Sequence, residues 1–324
     1  LLIQFSMKKL LFTLCIALPL LTFGQASKLY RQALRSSDLS ERISLLNEVI
    51  KLEPKNLDAY FQRALAKNNS EDFYGAIVDY SKIIADQPDA DSYYNRGNSR
   101  YNVKDYAEAK EDYAKAYLLD DSFIDALYSL ACVRLDLEEY DKAISDFNKV
   151  IKKIPGNPKT YVLRATAYKA LENHQKAFED YSTAILIYPS SENFYERGVF
   201  FMDITRYQDA NNDLTKSISL NDNNPFAYFY RGASSLFLGN DMNSISDFEK
   251  VLKFDSNDFD AHLGLAIAYI NLNDKIKAKQ HFNKANSILN LGANITSIEA
   301  YSDTYWFQHQ YYFFNKGITA LVKL

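Results

Sequence analysis

The sequence predicts an all-α fold, an extended array of antiparallel helix pairs, on three observations. Small residues recur at near-constant spacing: Ala64, Gly97, Ala131, Ala165, Gly198, Gly232 and Ala266 stand 33, 34, 34, 33, 34 and 34 residues apart. A fixed period of that length marks a stacked repeat, in which each unit buries its apolar face against copies of itself. Only ten Gly and seven Pro among 324 residues leave too few turn formers for an all-β chain and too few breakers for disorder. Finally, every Pro except Pro19 sits at a repeat boundary, where it ends one helix or opens the next without breaking an interior hydrogen bond.

The first 24 residues stand apart. Met7, Lys8 and Lys9 precede a nearly unbroken apolar run from Leu10 to Leu21, and Thr22, Phe23 and Gly24 follow where a peptidase would cut, which is the pattern of a secretory signal. Leu1 to Ser6 lie upstream of the natural start at Met7. A run of about 12 apolar residues is short of the roughly 20 that span a bilayer. Cys15, behind Thr13 and Leu14, lacks the small neighbours of a lipidation site. The chain from Gln25 is therefore expected to be exported across a bacterial inner membrane, periplasmic or extracellular, with no stable membrane insertion. Cys132 is then its one cysteine, so no intramolecular disulfide forms and cysteine usage does not report the compartment.

Residues 25–56 read as a degenerate first copy, with Pro54 in step with later boundary prolines and Ile43, Leu46, Val49 and Ile50 as an apolar helix face. Seven copies follow over residues 57–290. With Ala90 as position 1, the small series is position 8, and position 20 is also small throughout: Ala76, Ala109, Ala143, Ala177, Ala210, Ser244 and Ala278. Positions 4 and 24 are bulky, Tyr93 and Tyr113 in the second copy, with His262 the one polar exception. Gly inside a helix costs about 1 kcal/mol relative to Ala, so Gly at position 8 marks a neighbouring helix too close for a larger side chain. Pro54, Pro88, Pro155 and Pro189 fall at position 32, and Pro158 and Pro225 at position 1.

These columns resemble the tetratricopeptide repeat, a 34-residue helix-turn-helix with a large-small pair, an aromatic, an Ala, an aromatic and a Pro at fixed places. The resemblance implies a right-handed superhelical solenoid of antiparallel helix pairs whose first helices line a concave groove offered to peptides or folded partners. In that geometry position 5 faces inward, and it reads Phe61, Tyr94, Tyr128, Val162, Tyr195, Phe229 and Leu263, a largely aromatic ladder. Exposed aromatics offer large, rigid contact area, so Phe61, Tyr94, Tyr128, Tyr195 and Phe229 are candidate ligand contacts. Asn95 and Asn98 join them as amides for a peptide backbone. The plainer alternative is that an apolar stripe at helical spacing is core. The family's clamp for C-terminal carboxylates needs Lys at position 5 and is not expected here.

One departure from the family pattern is charged. Position 7 is Arg in five copies, and each of these has Asp at position 23, giving the candidate pairs Arg63 with Asp79, Arg96 with Asp112, Arg164 with Asp180, Arg197 with Asp213 and Arg231 with Asp247. The two positions lie at nearly the same height on a hairpin that turns near position 15, so these are expected to be structural ion pairs. An arginine ladder for an acidic ligand is the alternative, disfavoured because the Asp consumes the donors.

No catalytic constellation stands out, so no enzyme and no cofactor are expected. The four histidines, His174, His262, His281 and His309, occupy unrelated repeat positions, and no metal site is expected. Asp120-Asp121-Ser122 and Asp255-Ser256-Asn257-Asp258 read as helix caps rather than calcium loops. A net charge of −4 with interspersed signs disfavours a nucleic-acid partner. The aromatic-rich segment within residues 291–324, with the only Trp, Trp306, is expected to cap the last repeat. A docking surface for a partner or a membrane is its alternative. The expected function is an exported, non-catalytic protein-protein interaction scaffold, with a cell-envelope complex among its conceivable settings. Glycan or peptidoglycan binding through the aromatic ladder is the rival.

Overall fold

The structure, a computed structural model, describes residues 24–290 and 298–323. The expected secretory signal, apart from Gly24, lies outside these residues. Helices and turns make up the described residues, with no strand among them. No helix among them is long and apolar enough to cross a membrane.

The first of two compact units ends at Pro155. It contains α1 (24–35) and α2 (Leu39–Leu52), then α3 (Leu57–Asn69) with α4 (Phe73–Asp86), α5 (Ala90–Asn102) with α6 (Tyr106–Leu119), and α7 (Ile124–Asp136) with α8 (Tyr140–Lys153). The second unit contains α9 (Pro158–Ala170) with α10 (His174–Ile187), α11 (Ser191–Asp203) with α12 (Tyr207–Leu220), α13 (Pro225–Phe237) with α14 (Asp241–Phe254), and α15 (Phe259–Asn271) with α16 (Lys275–Ile288). A short 3₁₀ turn at Ile298–Tyr301 and α17 (Tyr305–Leu321) complete it.

Each hairpin from α3 onward joins a 13-residue helix to a 14-residue one by the same turn. Position 15 is left-handed in every copy, as Glu71, Lys104, Glu138, Glu172, Thr205, Gly239 and Asn273. The amide one residue later reaches back five residues, Asp72 N to Lys67 O and Asp105 N to Arg100 O at 2.8 and 2.9 Å, which closes the first helix. That same residue can open the second helix. Asp72, Asn173 and Asp274 cap α4, α10 and α16 with their side chains. Pro158 and Pro225 stand in the first turns of α9 and α13.

The small columns set how closely the two helices of a hairpin approach. All seven residues at position 20 are fully buried. A Cβ on Gly97 would lie 2.8 Å from the Tyr113 ring, so position 24 of the same hairpin occupies the space that position 8 leaves open. At the C-terminal end the fit is tighter still. A Cβ on Gly264 would lie 2.5 Å from Phe248 and 2.9 Å from Trp306, and the indole of Trp306 is wholly buried there. Beyond a kink at Gln310, where the backbone is not helical, Phe314, Ile318 and Leu321 of α17 are also buried.

Six of the seven left-handed turn residues carry a side chain that disfavours this conformation, and Thr205, at φ 59°, is β-branched. Thr205→Gly should raise the unfolding free energy of the second unit by about 1 kcal/mol, less the added entropy of the unfolded chain. Denaturant melts of the two proteins measure it.

Candidate functional site

Every candidate Arg–Asp pair is present as a two-point contact. In all five, Nε and Nη2 of the Arg donate to the two carboxylate oxygens at 2.6 to 3.0 Å. Asp79, Asp112, Asp180, Asp213 and Asp247 are all buried. The remaining nitrogen, Nη1, turns to the second helix of the preceding hairpin: Arg63 to Asn47 Oδ1 (2.7 Å), Arg96 to Ser81 Oγ (3.0 Å) and Arg197 to Ser182 Oγ (2.9 Å). The aromatic at position 4 covers the guanidinium of Arg63, Arg96, Arg164 and Arg231 at 5.2 to 5.6 Å from the ring centroid. Donors and faces are thus occupied within the protein, which leaves little for an acidic ligand.

Sequence reasoning missed a second cation on two of these carboxylates, and the cation that stands in for the Arg on Asp146. Position 11, one helical turn beyond position 7, holds Lys67, Arg100 and Arg134 in the first unit. Lys67 reaches Asp79 at 2.9 Å, Arg100 reaches Asp112 at 2.7 Å, and Arg134 holds Asp146 where Leu130 replaces the usual Arg. In the second unit the same position is Tyr168, Phe201, Ser235 and Tyr269; Tyr168 stacks on Arg164 and Phe201 on Arg197 instead. The signal was a basic residue at position 11 in all three copies of the first unit and in none of the second.

The last hairpin replaces the tie altogether. Leu265 stands at position 7, and His281 at position 23 meets His262 at position 4, with their Nδ1 atoms 2.9 Å apart. These two histidines are therefore not unrelated in position, since 4 and 23 meet across this hairpin. His262 Nε2 donates to Ser256 O at 3.2 Å, so its Nδ1 is the acceptor and His281 the donor. Burial, then His262 and Lys277 nearby, push His281 down to about 4. No cluster of three metal-ligating side chains occurs among the described residues.

The aromatic ladder divides by location. In the first unit Phe61, Tyr94 and Tyr128 are half-buried on α3, α5 and α7. Each is braced from behind by the ring at position 24 of its own hairpin, Tyr80 at 5.7 Å, Tyr113 at 5.9 Å and Phe147 at 6.3 Å. Asn95 Nδ2 donates to Asp91 O (2.8 Å) and Asn98 Oδ1 accepts from the Tyr113 hydroxyl (2.9 Å). Half of each amide is thereby spent internally, leaving Asn95 Oδ1 and Asn98 Nδ2.

In the second unit Tyr195 is half-buried against Tyr230 at 6.1 Å. Phe229 corrects the sequence expectation. It is 8% exposed, packed beneath Tyr305 (5.0 Å) and Trp306 (5.9 Å), so α17 covers the ring that was to face a ligand. Nothing in the repeat pattern signals this, because the covering helix is outside the repeat.

Asp260 holds that covering helix. Its carboxylate accepts from Tyr305 N at 3.0 Å, at the start of α17, and its carbonyl accepts from Trp306 Nε1 at 2.8 Å. Burial outweighs the hydrogen bonds and pushes the carboxyl up to about 7. A carboxyl raised on folding stabilises most below its unfolded value and loses that contribution as pH rises through about 7. The melting temperature read by Trp306 fluorescence should therefore fall between pH 5 and pH 8, and Asp260→Asn, which keeps an acceptor for Tyr305 N, should flatten that fall.

Models of the tetratricopeptide repeat match residues 90–123 and, separately, 124–155, 158–191 and 259–288. Human tetratricopeptide repeat protein 13 is 28% identical over 134 residues, 41% of this chain and 16% of its own length. Serine/threonine-protein phosphatase 5 of Rattus norvegicus is 31% identical over 101 residues, 31% of this chain and 20% of its own. The heat-shock protein cognate co-chaperone sgt12 of Aspergillus fumigatus is 31% identical over 100 residues, 31% of this chain and 29% of its own. The chain thus spans under a third of the length of each. Among solved structures, a tetratricopeptide repeat protein from Parabacteroides merdae superposes with a TM-score of 0.59 at 16% identity, over 76% of this chain and 99% of that one. A chain of the APC/C hetero-tetramer Cut9-Hcn1 does so with a TM-score of 0.53 at 19% identity, over 87% and 54%. At these identities the likeness concerns the fold.

Proposed function

We propose that this chain, which carries tetratricopeptide repeats, works as a non-catalytic scaffold for protein-protein interaction, with half-exposed aromatic side chains as its contact surface. The observation that carries this is the row of Phe61, Tyr94 and Tyr128 at one repeat position on α3, α5 and α7, each held by a ring behind it yet still reaching solvent. Rigid, partly exposed aromatics lose little entropy on contact and dominate binding energy where they are found. The free Asn95 Oδ1 and Asn98 Nδ2 beside Tyr94 suit the carbonyls and amides of an extended peptide. A co-chaperone among the relatives is in keeping with this reading.

The basic start, apolar core and small residues before Gln25 support export, so the partner is sought in the cell envelope or outside the cell. The buried face of α17 supports a role for the C-terminal segment in closing the array.

The test is recovery of envelope proteins on the chain from Gln25 onward, compared with Tyr94→Ala/Tyr128→Ala. Loss of two half-exposed rings should weaken a true partner roughly 10- to 30-fold while the helical content holds, with the melting temperature lowered only by the lost packing on Tyr113 and Phe147. Undiminished binding would overturn the assignment of this surface. Retention on purified cell-wall glycan, with no protein partner, would replace the scaffold by a glycan binder that stacks sugars on the same rings.

A further inference from the structure

A cavity of about 520 Å³ opens in the second unit where α13, α14 and the start of α15 meet the head of α17. Five rings line it: Phe226, Phe229, Tyr230, Phe254 and Tyr305. Three of them form a corner. Phe229, Tyr230 and Tyr305 stand 5.0 to 5.7 Å apart with planes at 81°, 88° and 88° to one another. Phe226 and Phe254 stand at the opening, 65% and 48% exposed, which is costly for Phe without an occupant.

Three carboxylates complete the lining: Asp255, Asp258 and Asp260. No Lys, Arg or His lines the cavity, and no salt bridge reaches any of the three among the described residues. Asp213 and Asp247 in the same unit are each gripped by an Arg. The cavity carboxylates instead have backbone amides as donors: Asn257 N on Asp255 (2.9 Å), Ala261 N on Asp258 (2.7 Å) and Tyr305 N on Asp260 (3.0 Å). Burial raises Asp258 and Asp260, as expected of partly desolvated carboxyls left without a cation.

We propose that this cavity takes the positively charged side chain, lysine or arginine, of a basic peptide segment on the partner protein. A cation over mutually perpendicular ring faces gains the aromatic quadrupole and the Asp255 charge, and draws the raised carboxyls of Asp258 and Asp260 into their ionised form. An acidic segment meets repulsion, and a neutral one leaves the carboxylates uncompensated. The volume lies within the usual range for a ligand pocket and exceeds what one side chain fills, so flanking backbone enters as well. This rests on the scaffold reading and adds the charge of what is bound.

The test uses the full chain and blocked hexapeptides that are identical except for two central residues: arginine, citrulline or glutamate. Binding is followed by calorimetry and by Trp306 fluorescence, since Trp306 lies 5.4 Å from Tyr305. The arginine peptide should bind at least tenfold more tightly than the citrulline peptide, and the glutamate peptide should not bind. Phe226→Ala, at an exposed ring, and Asp255→Asn, which keeps an acceptor for Asn257 N, should each weaken the arginine peptide by fivefold or more with unchanged melting temperatures. Equal binding of arginine and citrulline peptides, or no effect of either substitution, overturns the proposal. If peptides bind without preference for charge and respond only to Tyr94→Ala/Tyr128→Ala, the scaffold stands and the cationic pocket falls. If no peptide and no envelope protein binds, both fall.

Discussion

The guanidinium at position 7 is the element on which the repeat depends. It lies in the first helix, yet its bonds go to the second helix of its own hairpin and, through Nη1, to the second helix of the preceding one. One side chain therefore fixes the height of two helices and the spacing to the next pair. Arg suits this because its donors form a rigid planar fork, whereas Lys would offer a point charge. The tie is nevertheless poor evidence of net stability, since the buried Asp had to be stripped of water first. What it gives is specificity of alignment between helices whose apolar contacts alone, Ala against Tyr or Leu, tolerate sliding.

Where the Arg is absent, its partners change with it. Leu130 replaces it in the third copy, Ala114 stands at the place that would have received Nη1, and Arg134 takes over Asp146. In the last copy the carboxylate becomes His281 and the aromatic becomes His262, so the hairpin is joined by an imidazole pair. The inner face of that hairpin is covered by α17, which the Gly264 gap admits and Asp260 anchors. The two departures from the repeat occur together in the hairpin on which α17 packs.

Most of the scaffold was legible because a repeat states each constraint several times. Position 8 is small in all seven copies, and beside Gly97, Gly198 and Gly232 the position-24 side chains Tyr113, Leu214 and Phe248 take the space this leaves. The column of Arg beside the column of Asp is similarly visible without coordinates. Contacts made once are harder to read. Phe229 carries the same position-5 signal as Tyr94, but its burial is decided by Tyr305 and Trp306, some 75 residues later in the chain and outside the period. The His262–His281 pair was hidden because two residues of one type at positions 4 and 23 look unrelated until the hairpin geometry places those positions opposite each other. The cavity at the head of α17 needs four elements at once and has no signature in any one of them.

The central claim is that the Arg–Asp tie is an internal structural element and not a ligand contact. A double-mutant cycle on Arg231 and Asp247 tests it directly, because in the described structure Asp247 has this one cation. Opening free energies of α13 and α14 can be read from native-state hydrogen exchange. Arg231→Met should cost roughly 3–5 kcal/mol by stranding a buried carboxylate, and adding Asp247→Leu should restore much of that loss. Additive costs below about 1 kcal/mol for each change would contradict the account, placing both side chains among exposed charges that the fold does not need.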